Sequence, residues 1–181
     1  MNRIPLIDRA AATGETRALL DAIQGAFGAT PAMFRAVANS PAALRSMWGS
    51  FGALGQGVLG AKLGEQIAVA VADRNACEYC LAAHTALGRK AGASADEMRA
   101  AQLGESSDPR TQAALKFALQ LVERRGQVSG ADVQAVRDAG FTDEEVLEIL
   151  AHVALNLFTN YVNVAFAVPV DFPKVGVRHA G

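Results

Sequence analysis

Neither sign of charge dominates this chain. Lys and Arg number 17 against 18 Asp and Glu, a formal net charge of -1, and charged residues make up only 19%. That balance excludes the electrostatic footprint of a nucleic-acid binder or of a protein drawn to an anionic membrane surface. Cysteine is nearly absent, with two in 181 residues. There is no disulfide framework to build, and a zinc site lacks its usual second Cys or Cys-His pair. The apolar runs are broken by charge before the ~20 residues a membrane span requires, and MNRIPLIDRAAATGE has no signal-peptide apolar core, so a cytoplasmic protein is expected. Strand alternation, hairpin signals and low-complexity linkers are also missing. An all-α chain is what remains.

What is present is apolar mass. At 51% hydrophobic composition, the chain suits one compact domain with a substantial core. Low charge on an Ala-rich helical chain also fits subunit burial. Residues 1 to 14, with Pro5 and Gly14, read as an irregular arm, and residues 167 to 181, with Pro169 and Pro173, as an extended tail. Either is able to lie on a neighbouring subunit. Between them the apolar spacing predicts helices over about 15–27, 31–38, 41–55, 62–73, 77–91, a short one to about Leu103, one from Asp108-Pro109 to Gly126, 131–139, and a long one from Thr142 to about Phe166. Thr30-Pro31 and Ser40-Pro41 read as a hydroxyl cap followed by proline at the first turn. Ser94 to Glu97 and Thr142 to Glu145 read as capping boxes. Leu44, Met47, Trp48, Phe51 and Leu54 read as core. The helices over 62–73 and 142–166 are apolar on most faces and belong near the middle.

The chemistry is concentrated in EQIAVAVADRNACEYCLAAH, Glu65 to His84. In a helix starting at Cys77, Cys80 and His84 stand four apart on one face, with Cys77 one turn before Cys80. Glu65 sits on the preceding helix, which ends at the polar break Asp73-Arg74-Asn75 and can fold back toward the same spot. A thiol attacks peroxide as thiolate, so such a site must lower a cysteine pKa and supply a proton to the departing oxygen. His84 serves Cys80 in this way, while the helix N-terminus favours thiolate chiefly at Cys77, so spacing alone leaves the attacking thiol open. The resulting sulfenic acid condenses with the second thiol, and an external dithiol or reductase restores both. The duller alternatives are a metal site using Cys77, Cys80, His84 and Glu65, and a buried, unreactive cysteine pair. A thioredoxin-like domain fails because no strand precedes Cys77. His152, Asn156, Asn160 and Asn163 on the last helix read first as core or packing groups, and His179 as solvated or at a contact surface.

The whole spacing, Glu65, eleven residues, Cys77-x-x-Cys80, three residues and His84, resembles the signature of the AhpD-like alkylhydroperoxidases within the carboxymuconolactone decarboxylase superfamily, and CEYCLAAH resembles its peroxidase-related branch. The similarity extends loosely from Pro31 to Phe166. It implies an orthogonal helical bundle of about eight or nine helices as a single domain over 1–181, assembled into dimers, trimers or hexamers, with no cofactor. It also implies a thiol peroxidase for hydrogen peroxide or organic hydroperoxides, in which Cys80 attacks, Cys77 resolves, and Glu65 with His84 relays protons. The alternatives on the same scaffold are a non-catalytic redox sensor or interaction protein, and a carboxymuconolactone decarboxylase-type lyase, which needs no dithiol. Founding members carry histidine between the cysteines where this chain has Tyr79, and a phenol, titrating at about pH 10, is no base at neutral pH.

Overall fold

The computed structural model describes residues 2–179. Among them the regular elements are nine helices, with no strand: α1 Gly14–Phe27, α2 Ala32–Val37, α3 Pro41–Leu54, α4 Ala61–Arg74, α5 Glu78–Lys90, α6 Ala95–Gln102, α7 Pro109–Glu123, α8 Gly130–Asp138 and α9 Asp143–Phe166. Local chemistry sets most of the starts. Ser40, Asp108, Ser94, Ser129 and Thr142 each accept a main-chain N–H from the first turn of their helix, and the last three complete capping boxes, each satisfying donors that a helix N-terminus otherwise leaves unpaired.

At α2 the expected cap is displaced. Pro31 occupies the N-cap position without a side-chain bond, and Thr30 instead donates its hydroxyl to Gln24. The carboxylate that receives the Ala32 N–H, at 2.6 Å, is Asp171, from the far end of the chain.

Helix α4 is the axis of the fold. It packs against α5, α6, α7 and α9, and Ile67, Val69, Val71 and Ala72 are wholly buried. The long helix α9 also crosses the bundle, packing on α3, α4 and α7, but it is not buried all round, because Leu147, Leu150, Tyr161 and Val164 are exposed. Against the expectation that charge breaks every apolar run, residues 149–170 carry no Asp, Glu, Lys or Arg, and by length and composition alone α9 would pass as a membrane span; its burial of Val146, Ile149, Val153 and Val162 against other helices is that of a core helix.

The described parts of the arm and of the tail lie on their own fold. In the arm, Arg3 N–H donates to Phe166 O, and Ile7 N–H to Arg35 O. The tail runs back over α4 and α5 and is fastened twice. Asp171 accepts from the Tyr79 hydroxyl at 2.8 Å. Asp73, which the sequence presents as part of a polar break, is completely buried and accepts from Gln102 Nε2 (2.6 Å), Arg178 N (2.9 Å), His179 N (3.0 Å) and His179 Nδ1 (3.1 Å). His179, read as solvated or at a contact surface, is half-exposed and is tied through Nδ1 to that buried carboxylate.

Candidate functional site

The turn between α4 and α5 places the dithiol. Asn75 leaves the helix, Ala76 takes φ +51°, and Cys77 N–H returns to Ala72 O at 2.9 Å. This is a left-handed helix ending in which alanine stands where glycine is the easier residue. Cys77 then caps α5, its Sγ accepting Cys80 N–H at 3.4 Å. Both cysteines are free and buried. One turn further on, His84 Nδ1 meets Glu65 Oε2 at 2.7 Å. The structure thus brings together all four residues that the sequence singled out. Among the described residues no set of three His, Cys, Asp or Glu side chains converges as metal ligands would.

The two sulfurs compete for one negative charge, and the surroundings place it on Cys80. The Cys77 thiol hydrogen-bonds Cys80 and is the largest influence lowering its pKa; burial opposes this, and the charge of His84 and the side chains of Asn163 and Thr159 add to the lowering, which brings Cys80 down to about 6. Asn163 Nδ2 donates to Cys80 Sγ at 3.1 Å, and Thr159 Oγ1 lies 3.8 Å from the same sulfur. The Cys77 thiol is pushed up, first because it is the donor to Cys80 and then by burial. The Cys80 N–H and the Asn163 side chain at its sulfur do not outweigh this. At His84, burial works against the charged ring, but the Glu65 carboxylate more than offsets it and raises the pKa above the ordinary histidine value. The Nδ1–Glu65 hydrogen bond orients the ring and leaves Nε2 as the nitrogen that can give or take a proton.

This assignment carries a measurable consequence. Alkylation of Cys80 by iodoacetamide is expected to rise about tenfold per pH unit below about pH 6 and then level off. Mass spectrometry of the labelled peptide reads the outcome, with Cys77 remaining largely unlabelled through neutral pH. A midpoint near that of an ordinary thiol would contradict the electrostatics.

Two cavities meet at His84. One is apolar and small, about 40 Å³, lined by Phe27, Phe34, Phe51, Phe172, Cys80 and His84 among others. The other, about 210 Å³, is lined by Glu65, His84, His152, Asn156, Phe51 and Gly64 among others. Phe51 borders both and Leu54 borders the larger, so these residues, read from sequence as core, line the site. The loop at the rim of the larger cavity is held by Glu148, whose carboxylate accepts Val58 N–H at 2.8 Å and Leu59 N–H at 3.0 Å. A Cβ at Gly57 would come within 2.6 Å of that carboxylate. Tyr79, between the cysteines, lines the small cavity beside Cys80 and His84, but its hydroxyl donates to Asp171. Burial, and then Asp171 beside it, push its pKa up, and its ring packs edge-on against Phe172.

Sequence reasoning missed Asn163 and Thr159 as partners of the sulfur. The available signal was polarity at 152, 156, 159 and 163 in the largely apolar second half of the helix, a spacing that keeps four groups on one face.

Comparison with known proteins follows the same line. The model of the carboxymuconolactone decarboxylase family matches residues 41–124. A peroxidase-related protein from Ralstonia eutropha JMP134, described as an alkylhydroperoxidase AhpD core, is 30% identical; the alignment covers 94% of this chain and 92% of that one, with a TM-score of 0.84. A peroxidase-related protein from Silicibacter sp. TM1040 is 26% identical over 92% of this chain and 89% of its own, TM-score 0.81. The debrominase Bmp8, at 18% identity, shares the fold over 93% and 92% of the two chains, TM-score 0.79. No curated protein matches. With one of these relatives matched along nearly its whole length, the chain belongs to the carboxymuconolactone decarboxylase superfamily, among its AhpD-like members.

Proposed function

We propose that the protein is a thiol-dependent peroxidase that reduces hydrogen peroxide or organic hydroperoxides through Cys77 and Cys80. The observation that carries the reading is the asymmetric dithiol. One sulfur is held as thiolate by Cys77, His84 and Asn163, and its protonated partner sits one turn away. In the first step Cys80 S⁻ attacks the distal peroxide oxygen, the O–O bond breaks, and Cys80 becomes a sulfenic acid. The departing alkoxide or hydroxide takes the proton held on His84, whose positive charge Glu65 stabilises. Cys77 S–H then displaces the sulfenic hydroxyl. The S–S bond forms, the S–O bond breaks, and water leaves with the thiol's proton. An external dithiol or protein reductant supplies the two electrons that reopen the disulfide.

The same reading places the protein in the cytoplasm, where thiols are kept reduced, and makes it a homo-oligomer. The exposed apolar stripe of Leu147, Leu150, Tyr161 and Val164 on α9 supports self-association.

The deciding measurement is peroxide consumption under excess dithiol, followed well past one equivalent per protein. Sustained consumption is the expected result. Consumption that stops after one equivalent per dithiol would make the protein a redox sensor on the same scaffold.

A further inference from the structure

His152 has no place in the cycle described above, yet it is beside it. It projects from α9 into the larger cavity with Glu65, His84 and Asn156. Its backbone carbonyl accepts from Asn156 Nδ2 at 2.9 Å, while its ring makes no hydrogen bond to another described residue. The chain makes room for that ring at Gly64, next to Glu65, where a Cβ would stand 2.9 Å from His152 Cε1. Asn156 is itself almost wholly buried, 4% exposed, and its Oδ1 has no hydrogen-bond partner among the described residues. A buried amide oxygen in that condition is a seat for water.

The cycle needs a proton from this side. When a dithiol reopens the disulfide, the attacking thiolate has already given its proton to solvent, so Cys80 leaves as thiolate and His84 must be recharged from solvent. The apolar cavity at Cys80, walled by Phe27, Phe34, Phe51 and Phe172, has one further polar group in its lining, the Tyr79 hydroxyl, which donates to Asp171 and whose raised pKa makes it a poor carrier of protons. Among the described residues His84 is the one titratable side chain that borders both cavities and also meets Glu65.

We propose that His152 is the proton-entry residue of the site, taking protons from the larger cavity and passing them, through water held at Asn156, to the Glu65–His84 pair. The inference rests on the peroxidase reading. His152 acts through that pair rather than on the sulfur, as a positioning residue for the proton. The charged and titratable groups facing it are Glu65 on α4, His84 on α5 and Glu148 on α9. Burial, only partly offset by Glu148 and Glu65, lowers its pKa, which leaves the ring neutral at neutral pH and able both to accept and to donate.

The test is dithiol-driven turnover by His152→Ala, with and without added imidazole. Turnover is expected to fall about tenfold or more, with the loss in the later turnovers rather than in the first sulfenic acid formed. Free imidazole, entering the enlarged cavity, is expected to restore most of it. Gly64→Ala, which crowds the ring without replacing it, is expected to reduce turnover in the same direction. His152→Ala that turns over like the native protein, or that falls but gains nothing from imidazole while melting at the native temperature, would overturn the proposal. A native protein that consumes only one equivalent of peroxide would remove the peroxidase reading itself, which is a different failure.

Discussion

In Cys80→Ser, peroxide turnover under excess dithiol is expected to fall by about a thousandfold or more, to the background of dithiol and peroxide alone. A serine hydroxyl keeps nearly the same size beside Asn163 and Thr159 but stays protonated at any working pH, so the nucleophile is lost while the packing is kept. Cys77→Ser should behave differently. Its hydroxyl retains a donor toward Cys80, so the thiolate survives and the first oxidation proceeds; the sulfenic acid then waits for an external thiol instead of closing the disulfide. Trapping with dimedone, read by mass spectrometry, should label Cys80 strongly in Cys77→Ser and leave Cys80→Ser unlabelled. Cys77→Ala separates the two duties of Cys77. With no donor at all the largest cause of the lowered Cys80 pKa disappears, and the alkylation midpoint should move upward as well. If Cys80→Ser instead forms a sulfenic acid on Cys77, the roles are reversed and the electrostatic assignment fails.

The site was legible to the extent that it is local. Cys80 and His84 lie on one helix and Cys77 caps it, where spacing fixes direction, and Glu65 is close enough in the chain that one turn returns it to them. The helix starts were legible for the same reason, since Ser94 with Glu97 and Thr142 with Glu145 complete their caps within four residues. What escaped was carried by contacts far apart in sequence. Asn163 donates to a sulfur 83 residues away, and Asp171 caps a helix 139 residues away; no periodicity announces either. Thr30 misled because the hydroxyl-proline pattern describes what a cap can be, while a carboxylate arriving from the tail is a stronger acceptor for the same N–H. Phe51 and Leu54 pack against the core as expected and also line the larger cavity, because apolar periodicity marks a face turned inward and is blind to whether that face meets packed side chains alone or a cavity as well. Tyr79 was judged by the chemistry it lacks, whereas its function in the fold is to hold the tail through Asp171.

That tail gives the second large effect. Asp73→Ala is expected to destabilise the protein by about 2–4 kcal/mol at neutral pH, because Gln102, two main-chain amides and the His179 ring lose one shared acceptor. Burial alone would raise the Asp73 pKa, but the hydrogen bonds from Gln102, Arg178 and His179 outweigh it and the net shift is downward. A carboxyl whose pKa is lower folded than unfolded contributes stability that is fully present above its unfolded value, about 3.9, and that fades as the pH falls through the folded value. Native protein should therefore lose stability on acidification below about pH 4, and Asp73→Asn, already weakened at neutral pH, should show a shallower acid slope. Urea melts at a series of pH values measure both. The effect reaches the site through Phe172, which the same tail holds against Tyr79 and in the wall of the Cys80 cavity. If releasing residues 176–179 loosens that wall, the dithiol of Asp73→Ala should react with a bulky disulfide reagent faster than native under conditions where both remain folded, while a small alkylating agent discriminates less between them. Equal rates with the bulky reagent would mean that the tail stabilises the fold without screening the sulfurs.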